Sequence, residues 1–266
     1  MSHCASNFLI ANSELLAAQV NCRPMTFGAS NGNALLNNIT ALLVAWRPGS
    51  EGGRAIVDVL FGKQEASGRL SQNWVRSVGQ VGSGASPWMQ ERRSNCQAGN
   101  ERDGAEGRHY ASYDDSANSP TPLFHFGEGM SYGQHALAQL EATFSPRNET
   151  ACIVATVKIT ETSGRTSPAV VQLYIQDPTG VTRHVRPWKR LAAFARVIVP
   201  AHGTMAVTMA VRADDLGFPG DDMIMRVHRG EYVLSCGFAS HTDGGLTTTV
   251  NVTEAWDLQE NVVRPW

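Results

Sequence analysis

The sequence has 266 residues, 42% of them hydrophobic and 17% charged, enough for one large or two ordinary globular domains and too apolar for a chain disordered by composition. A formal net charge of -2 provides no broad basic footprint for nucleic acid or an anionic bilayer, and no apolar run approaches the ~20 residues that cross a membrane. Five cysteines without a C-x-x-C pair argue against a disulfide scaffold and a structural zinc site.

The N-terminus lacks the basic start and long apolar core of a signal peptide. Acceptor sequons nevertheless begin at Asn38, Asn148 and Asn251, making these the candidate N-glycosylation sites and favouring a secretory route. The two observations agree only if Met1 is not the natural start. Ala41 to Trp46 is a continuous apolar run, as in a strand covered on both faces. The turn Arg47-Pro48-Gly49-Ser50-Glu51-Gly52-Gly53 follows. From Arg54 to Phe61, Ile56, Val59 and Leu60 share one helical face, with Gly62 placed for a left-handed cap. Strand, turn and helix make half of a βαβ unit. Residues 72–122 lose all periodicity and read as a long loop.

Beyond Gly133 the period changes to two. Ile153, Ala155, Val157 and Ile159 alternate with polar or smaller neighbours. Val171, Leu173 and Ile175 do the same, as do Met205, Val207, Met209 and Val211, and finally Tyr232, Leu234 and Cys236. Such runs separated by turns predict an antiparallel β-sandwich. The expected organisation is a partial α/β domain at 1–136, an all-β domain at 137–256 and a tail at 257–266.

Gly28-Ala29-Ser30-Asn31-Gly32 matches G-x-S-x-G, but Pro24 interrupts the strand a nucleophile elbow requires. The Pro48–Gly53 turn lacks the Lys-Ser/Thr of a phosphate loop; Glu51 there is expected to accept backbone N–H bonds at the helix start. His109, His125 and His135 are too widely spaced for a helical metal site. Arg183, His184, Arg186, Lys189 and Arg190, beside Trp188, form a small basic cluster, read as a solvated edge or a docking patch. Glu51, Glu106, Asp114, Asp115 and Glu128 are the carboxylates from which a glycosidase pair would have to come, and spacing alone brings no two of them together.

The segment from Ala41 through Trp46-Arg47-Pro48-Gly49-Ser50-Glu51-Gly52-Gly53 to Leu60-Phe61-Gly62, followed by Ser67-Gly68-Arg69-Leu70, resembles the C-terminal α/β-sandwich of glycoside hydrolase family 3, the β-glucosidase and β-xylosidase family. Arg23-Pro24 resembles that family's preceding G-R-P strand, and Leu123-Phe124-His125-Phe126-Gly127-Glu128-Gly129-Met130-Ser131-Tyr132 its P-F-G-Y-G-L-S-Y signature, with His125 for proline and Glu128 for an aromatic residue. Val170 to Asp177, Arg186-Pro187-Trp188-Lys189-Arg190-Leu191 and Gly230-Glu231-Tyr232 resemble the immunoglobulin-like (fibronectin type III-like) domain that closes many members.

The resemblance implies retaining hydrolysis of terminal non-reducing β-D-glucosyl residues, with two carboxylates about 5–5.5 Å apart. It places the nucleophilic aspartate on an N-terminal barrel and the acid/base glutamate upstream of the matched segment. No catalytic residue, cofactor or metal ligand is therefore assigned to this chain. The implied partners are a β-glucoside or oligosaccharide and the N-terminal barrel domain, and the chain alone is expected to be inactive. The alternative is a carbohydrate-binding or scaffold module, which exposed rings at Trp74, Trp88, Tyr110 or Tyr113 would favour.

Overall fold

The computed structural model describes residues 8–10, 15–19, 39–74, 122–146, 152–178, 189–241 and 245–258. Asn38, Asn148, the 28–32 glycine turn, His109, Glu106, Asp114, Asp115, Trp88, Tyr110, Tyr113 and 183–188 lie outside them. The described residues fall into two compact units: 8–10, 15–19, 39–66, 72–74 and 122–124 form the first, and the remainder the second.

In the first unit, β1 (Phe8–Ile10) pairs antiparallel with β2 (Leu15–Gln19), and β2 pairs parallel with β3 (Ile39–Val44), from Leu16 opposite Ala41 to Gln19 opposite Val44. Parallel neighbours need a long crossover rather than a tight turn, so this pairing marks the unit as α/β. The strand ends at Val44, two residues before its expected end. Leu42 to Trp46 are half-buried rather than sealed on both faces, and among the described residues β3 pairs only with β2. Helix α1 (Gly52–Leu60) then sets Ile56, Val59 and Leu60 half-buried on one face, and Gly62 takes the left-handed conformation at φ 71°. Its entry is tight: the Gly52 N–H donates to Gly49 O at 3.2 Å, and a Cβ on Gly52 would sit 2.5 Å from Pro48 Cγ.

The second unit contains two antiparallel sheets. One orders β4 (His135–Phe144), β5 (Ile153–Glu161) and β8 (Thr204–Val211) as β4-β5-β8. The other orders β6 (Ser167–Gln176), β7 (Arg190–Val199), β11 (Gly230–Gly237) and β12 (Leu246–Val252) as β12-β11-β6-β7. A short helix α2 (Ala213–Leu216) and a small sheet of β9 (Phe218–Pro219), β10 (Met225–Val227) and β13 (Trp256–Asp257) complete it.

The period-two residues are its core. Ile153, Ala155, Val157, Ile159, Val171, Leu173, Ile175, Val211 and Leu234 are 0% exposed, and Val207, Met209, Tyr232 and Cys236 are also buried. Strand β4 has no such clean alternation. A bulge between Ala138 and Glu141, with Gln139 at φ 57°, shifts its phase so that Leu137 and then Leu140, Ala142 and Phe144 pack on the core.

Candidate functional site

In the first unit, β3 delivers the chain to Trp46 at φ 49°, a left-handed conformation unusual for so bulky a residue. The Trp46 ring lies 6.3 Å from that of Trp74, which meets Phe124 edge-on at 6.3 Å. A backbone bridge fixes the group: the Trp74 N–H donates to Phe124 O at 2.8 Å, and the Leu123 N–H returns to Trp74 O. Trp74 is fully buried, so it offers no face on which a sugar could stack. Glu51, at the start of α1, is exposed, and its carboxylate makes no side-chain cap bond. The expectation that it caps the helix is corrected here: Glu51 adopts φ -85° and ψ 6°, away from the extended backbone from which a capping side chain folds back onto the first turn.

In the second unit a two-segment strap covers the outer face of the larger sheet. Residues 67–71 and 125–131 pair through Leu70 N–H to Glu128 O at 3.0 Å and Gly127 N–H to Leu70 O at 2.7 Å. The turn His125–Glu128 is closed by Glu128 N–H to His125 O at 3.1 Å, and the Glu128 carboxylate accepts the His125 N–H at 2.7 Å. Glu128 is thereby engaged in shaping its own turn. Gly127 has φ 77°, and a Cβ on it would strike the Gln172 amide and the Tyr174 hydroxyl.

Those two side chains are buried beneath the strap. Gln172 Nε2 donates to Gly127 O at 2.9 Å and Phe238 O at 2.7 Å, and the Tyr174 hydroxyl donates to Gln172 Oε1 at 2.5 Å. Lys189, 6% exposed, donates to Ser240 O at 2.7 Å and stands 4.8 Å over the Tyr174 ring. Arg190 pairs with Asp177 at 3.1 Å and donates to the carbonyls of Asp215 and Leu216. The reading of Lys189 and Arg190 as a solvated edge or docking patch is thus corrected. Both are internal tethers: the Lys189 ammonium is held by a carbonyl and a ring face, and the Arg190 guanidinium by a carboxylate and two carbonyls.

Among the described residues, the carboxylate with the most hydrogen-bond donors is that of Glu161, at the end of β5 and 1% exposed. It accepts the Ser163 hydroxyl and N–H, Gly164 N–H at 2.8 Å, Arg165 N–H at 3.1 Å and His202 N–H at 3.0 Å. Burial pushes its pKa up, but the Ser163 hydroxyl and the His202, Ser163 and Gly164 amides outweigh that and bring it down to about 2. Through these donors it ties the β5–β6 connection to the β7–β8 turn.

The remaining candidates are separate from one another. The His125 ring lies 4.9 Å from that of His241, tilted by 38°, whereas His135 Nε2 lies 3.1 Å from Ser167 Oγ. Among the described residues, no group of three or more His, Cys, Asp or Glu could hold a metal ion, and no helix is long and apolar enough to cross a membrane. Burial pushes the Cys236 thiol up to about 12, so it is no nucleophile at neutral pH. Asn251 is exposed on β12, opposite Glu231. Gln172 and Glu161 escaped the sequence reading. A lone polar residue inside Val170-Val171-Gln172-Leu173-Tyr174 was the available signal for the first; a glutamate ending a strand is no signal at all.

Comparison with known proteins gives this arrangement its context. The Glycosyl hydrolase family 3 C-terminal domain matches residues 7–132, and the Fibronectin type III-like domain matches 169–240. A periplasmic β-glucosidase of Salmonella typhimurium is 29% identical over 251 residues, spanning 90% of this chain and 31% of that protein. A β-xylosidase of Formosa agariphila is 27% identical, with 90% and 30% spanned. In fold, the crystal structure of a β-glucosidase from Listeria innocua aligns over 91% of this chain and 31% of its own at a TM-score of 0.73 and 24% identity. The chain therefore spans about a third of the length of the relatives it matches.

Proposed function

Because the chain belongs to glycoside hydrolase family 3, with that family's C-terminal domain followed by a fibronectin type III-like domain, we propose that it serves as the C-terminal portion of a β-glucosidase-like enzyme. In the complete enzyme, terminal non-reducing β-D-glucosyl residues would be hydrolysed with retention, through a covalent glycosyl-enzyme. The observation that carries this reading is the order of the two family domains over one chain, 7–132 and then 169–240. Among the described residues, Glu128 and Glu161 are engaged by their own turns and Glu51 stands exposed at a helix start. The nucleophile and the acid/base belong to a further region, the barrel and its neighbouring segment, and this chain supplies the frame.

The binding-module alternative draws no support from Trp74, whose ring is enclosed. The test is the intact mass and N-terminal sequence of the native polypeptide. A product much heavier than 28.7 kDa with a barrel at its N-terminus is expected. A product beginning at Met1 that hydrolyses an aryl β-glucoside unaided would overturn the proposal.

A further inference from the structure

The sequon Asn251-Val252-Thr253 begins on β12, and the strand sorts its side chains. Asn251 and Thr253 are exposed, whereas Val252 between them is 1% exposed and belongs to the core of the sandwich. Extended backbone sends successive side chains to opposite faces, so a buried middle residue turns its two neighbours outward. Those neighbours are the acceptor amide and the hydroxyl without which the tripeptide is no acceptor. The valine fixes the segment, and the two chemically necessary groups meet solvent.

The surroundings are open in the same place. The strap covers the outer face of the larger sheet at Gln172 and Tyr174, where the Gln172 amide donates to Gly127 O and Phe238 O. Along β11 the outward residues open away from that cover: Ser235, opposite Tyr174, is buried, Val233 is half-buried and Glu231 is exposed. Asn251 is the register partner of Glu231, roughly 14 Å along the strand from Ser235 at ~3.4 Å per residue. On β12 itself Thr247 and Thr249 are exposed with it. Among the described residues β12 pairs only with β11, and its Leu-Thr-Thr-Thr-Val-Asn-Val run holds neither the charge nor the proline that ordinarily guards an edge strand. A bulky hydrophilic group on Asn251 would extend into solvent and screen that edge.

We propose that Asn251 carries an N-linked oligosaccharide, added as the chain passes through a secretory pathway. The donor is an oligosaccharide joined through pyrophosphate to a lipid. The Asn251 side-chain nitrogen bonds to the anomeric carbon and gives up one proton, the bond from that carbon to the pyrophosphate oxygen breaks, and the lipid pyrophosphate leaves. The modification is independent of the proposed function, since it needs the sequon and its outward placement and no catalytic group.

The experiment secretes the 266-residue chain from a eukaryotic host behind a cleavable leader and reads its intact mass before and after peptide N-glycosidase, which leaves aspartate where the glycan was. Asn38→Gln and Asn148→Gln are combined to remove the other two sequons. That double variant should lose the mass of one glycan, and peptide mapping should find aspartate at position 251. Adding Asn251→Gln or Thr253→Ala should abolish the loss, whereas Thr253→Ser, which keeps the sequon, should retain it. Release should proceed on the folded chain, because Asn251 is exposed. Glycopeptide mapping of the unsubstituted chain reads the site without any substitution, and an Asn251 unmodified in every copy would overturn the proposal. So would a loss of mass that persists after Asn251→Gln. Release that occurs only on unfolding would overturn the outward placement on which the proposal stands. None of these outcomes bears on the proposed function, which the length of the native polypeptide judges separately.

Discussion

The two units of this chain solve burial differently. In the sandwich, β5, β6, β8 and β11 each send a row of aliphatic side chains into one closed core, and residues such as Ile159, Leu173 and Leu234 are 0% exposed. In the α/β unit, Ile56, Val59 and Leu60 of α1 and Leu42 to Trp46 are only half-buried, Val57 and Phe61 are exposed, and Gly52 is the buried residue of the helix. The sandwich therefore contains its own stabilising interior. The α/β unit has apolar faces that its described residues leave partly open, as befits a domain matched by family as a C-terminal part.

The sharpest way to break this contrast is a pair of truncations. Ile159→Ala removes a fully enclosed side chain and leaves a cavity, so it should cost about 2–5 kcal/mol. Ile56→Ala removes a side chain that already meets solvent, and about 1 kcal/mol is expected from the transfer of its buried part. Equilibrium denaturation of both variants checks the ratio; equal costs would mean that the α/β unit is as closed as the sandwich.

Glu161 provides the next largest effect, and one with a pH signature. Glu161→Gln keeps one acceptor oxygen but turns an amide group towards the N–H donors of Gly164, Arg165 and His202, so the melting temperature at pH 7 should fall. In the wild type the folded carboxyl titrates at about 2 against an ordinary 4.5. A depressed pKa contributes stability that is complete above the ordinary value and is lost as pH falls through the interval down to the folded one. The difference between wild type and variant should therefore shrink between about pH 4.5 and pH 2. A difference that stays constant across that interval would show that Glu161 is not ionised in its nest.

The strap gives a smaller and more local test. Gly127→Ala places a Cβ at φ 77° against Gln172 and Tyr174, and should destabilise by more than the ~1 kcal/mol by which the same replacement stabilises an unstrained position. Hydrogen exchange should quicken at the Leu70 and Gly127 amides, which pair the two strap segments, while core amides such as Val157 keep their protection. Uniform loss of protection would make the strap part of the core rather than a layer upon it.

How much of this was legible in the sequence follows from the same physics. Period-two alternation exposes a strand with one buried face, which is why β5, β6, β8 and β11 could be read and why their inward residues are the core. Strand β4 was not read, because its bulge switches the inward face between Leu137 and Leu140. Strand β7, Arg190 to Val199, was missed because Leu191, Ala192, Ala193, Phe194 and Ala195 are apolar on both faces and show no period. Tertiary pairing decides the rest. Nothing local marks Glu161 for His202, Lys189 for Ser240, or Gln172 for Gly127, and those contacts span 41, 51 and 45 residues. Gly49 and Gly62 were legible because a φ of 71° demands glycine whatever surrounds it, and Gly52 because its neighbour Pro48 leaves no room for a Cβ.

Glu51 offers the smallest effect and the cleanest check on that distinction between local and tertiary signals. By position it is the N-cap of α1, and an acidic residue there ordinarily accepts an orphan N–H and complements the helix dipole. Here the side chain makes no cap bond, and the turn is closed instead by backbone, through Gly52 N–H to Gly49 O and Ala55 N–H to Glu51 O at 3.0 Å. Glu51→Ala should accordingly change stability by less than ~0.5 kcal/mol, the range of a surface substitution without a cap or partner to lose. A loss of ~1 kcal/mol, typical of deleting a working N-cap, would show that the carboxylate folds back onto the first turn in solution. The helix would then start by side-chain capping, and the half-open α/β unit would have one more local stabilising contact than its geometry displays.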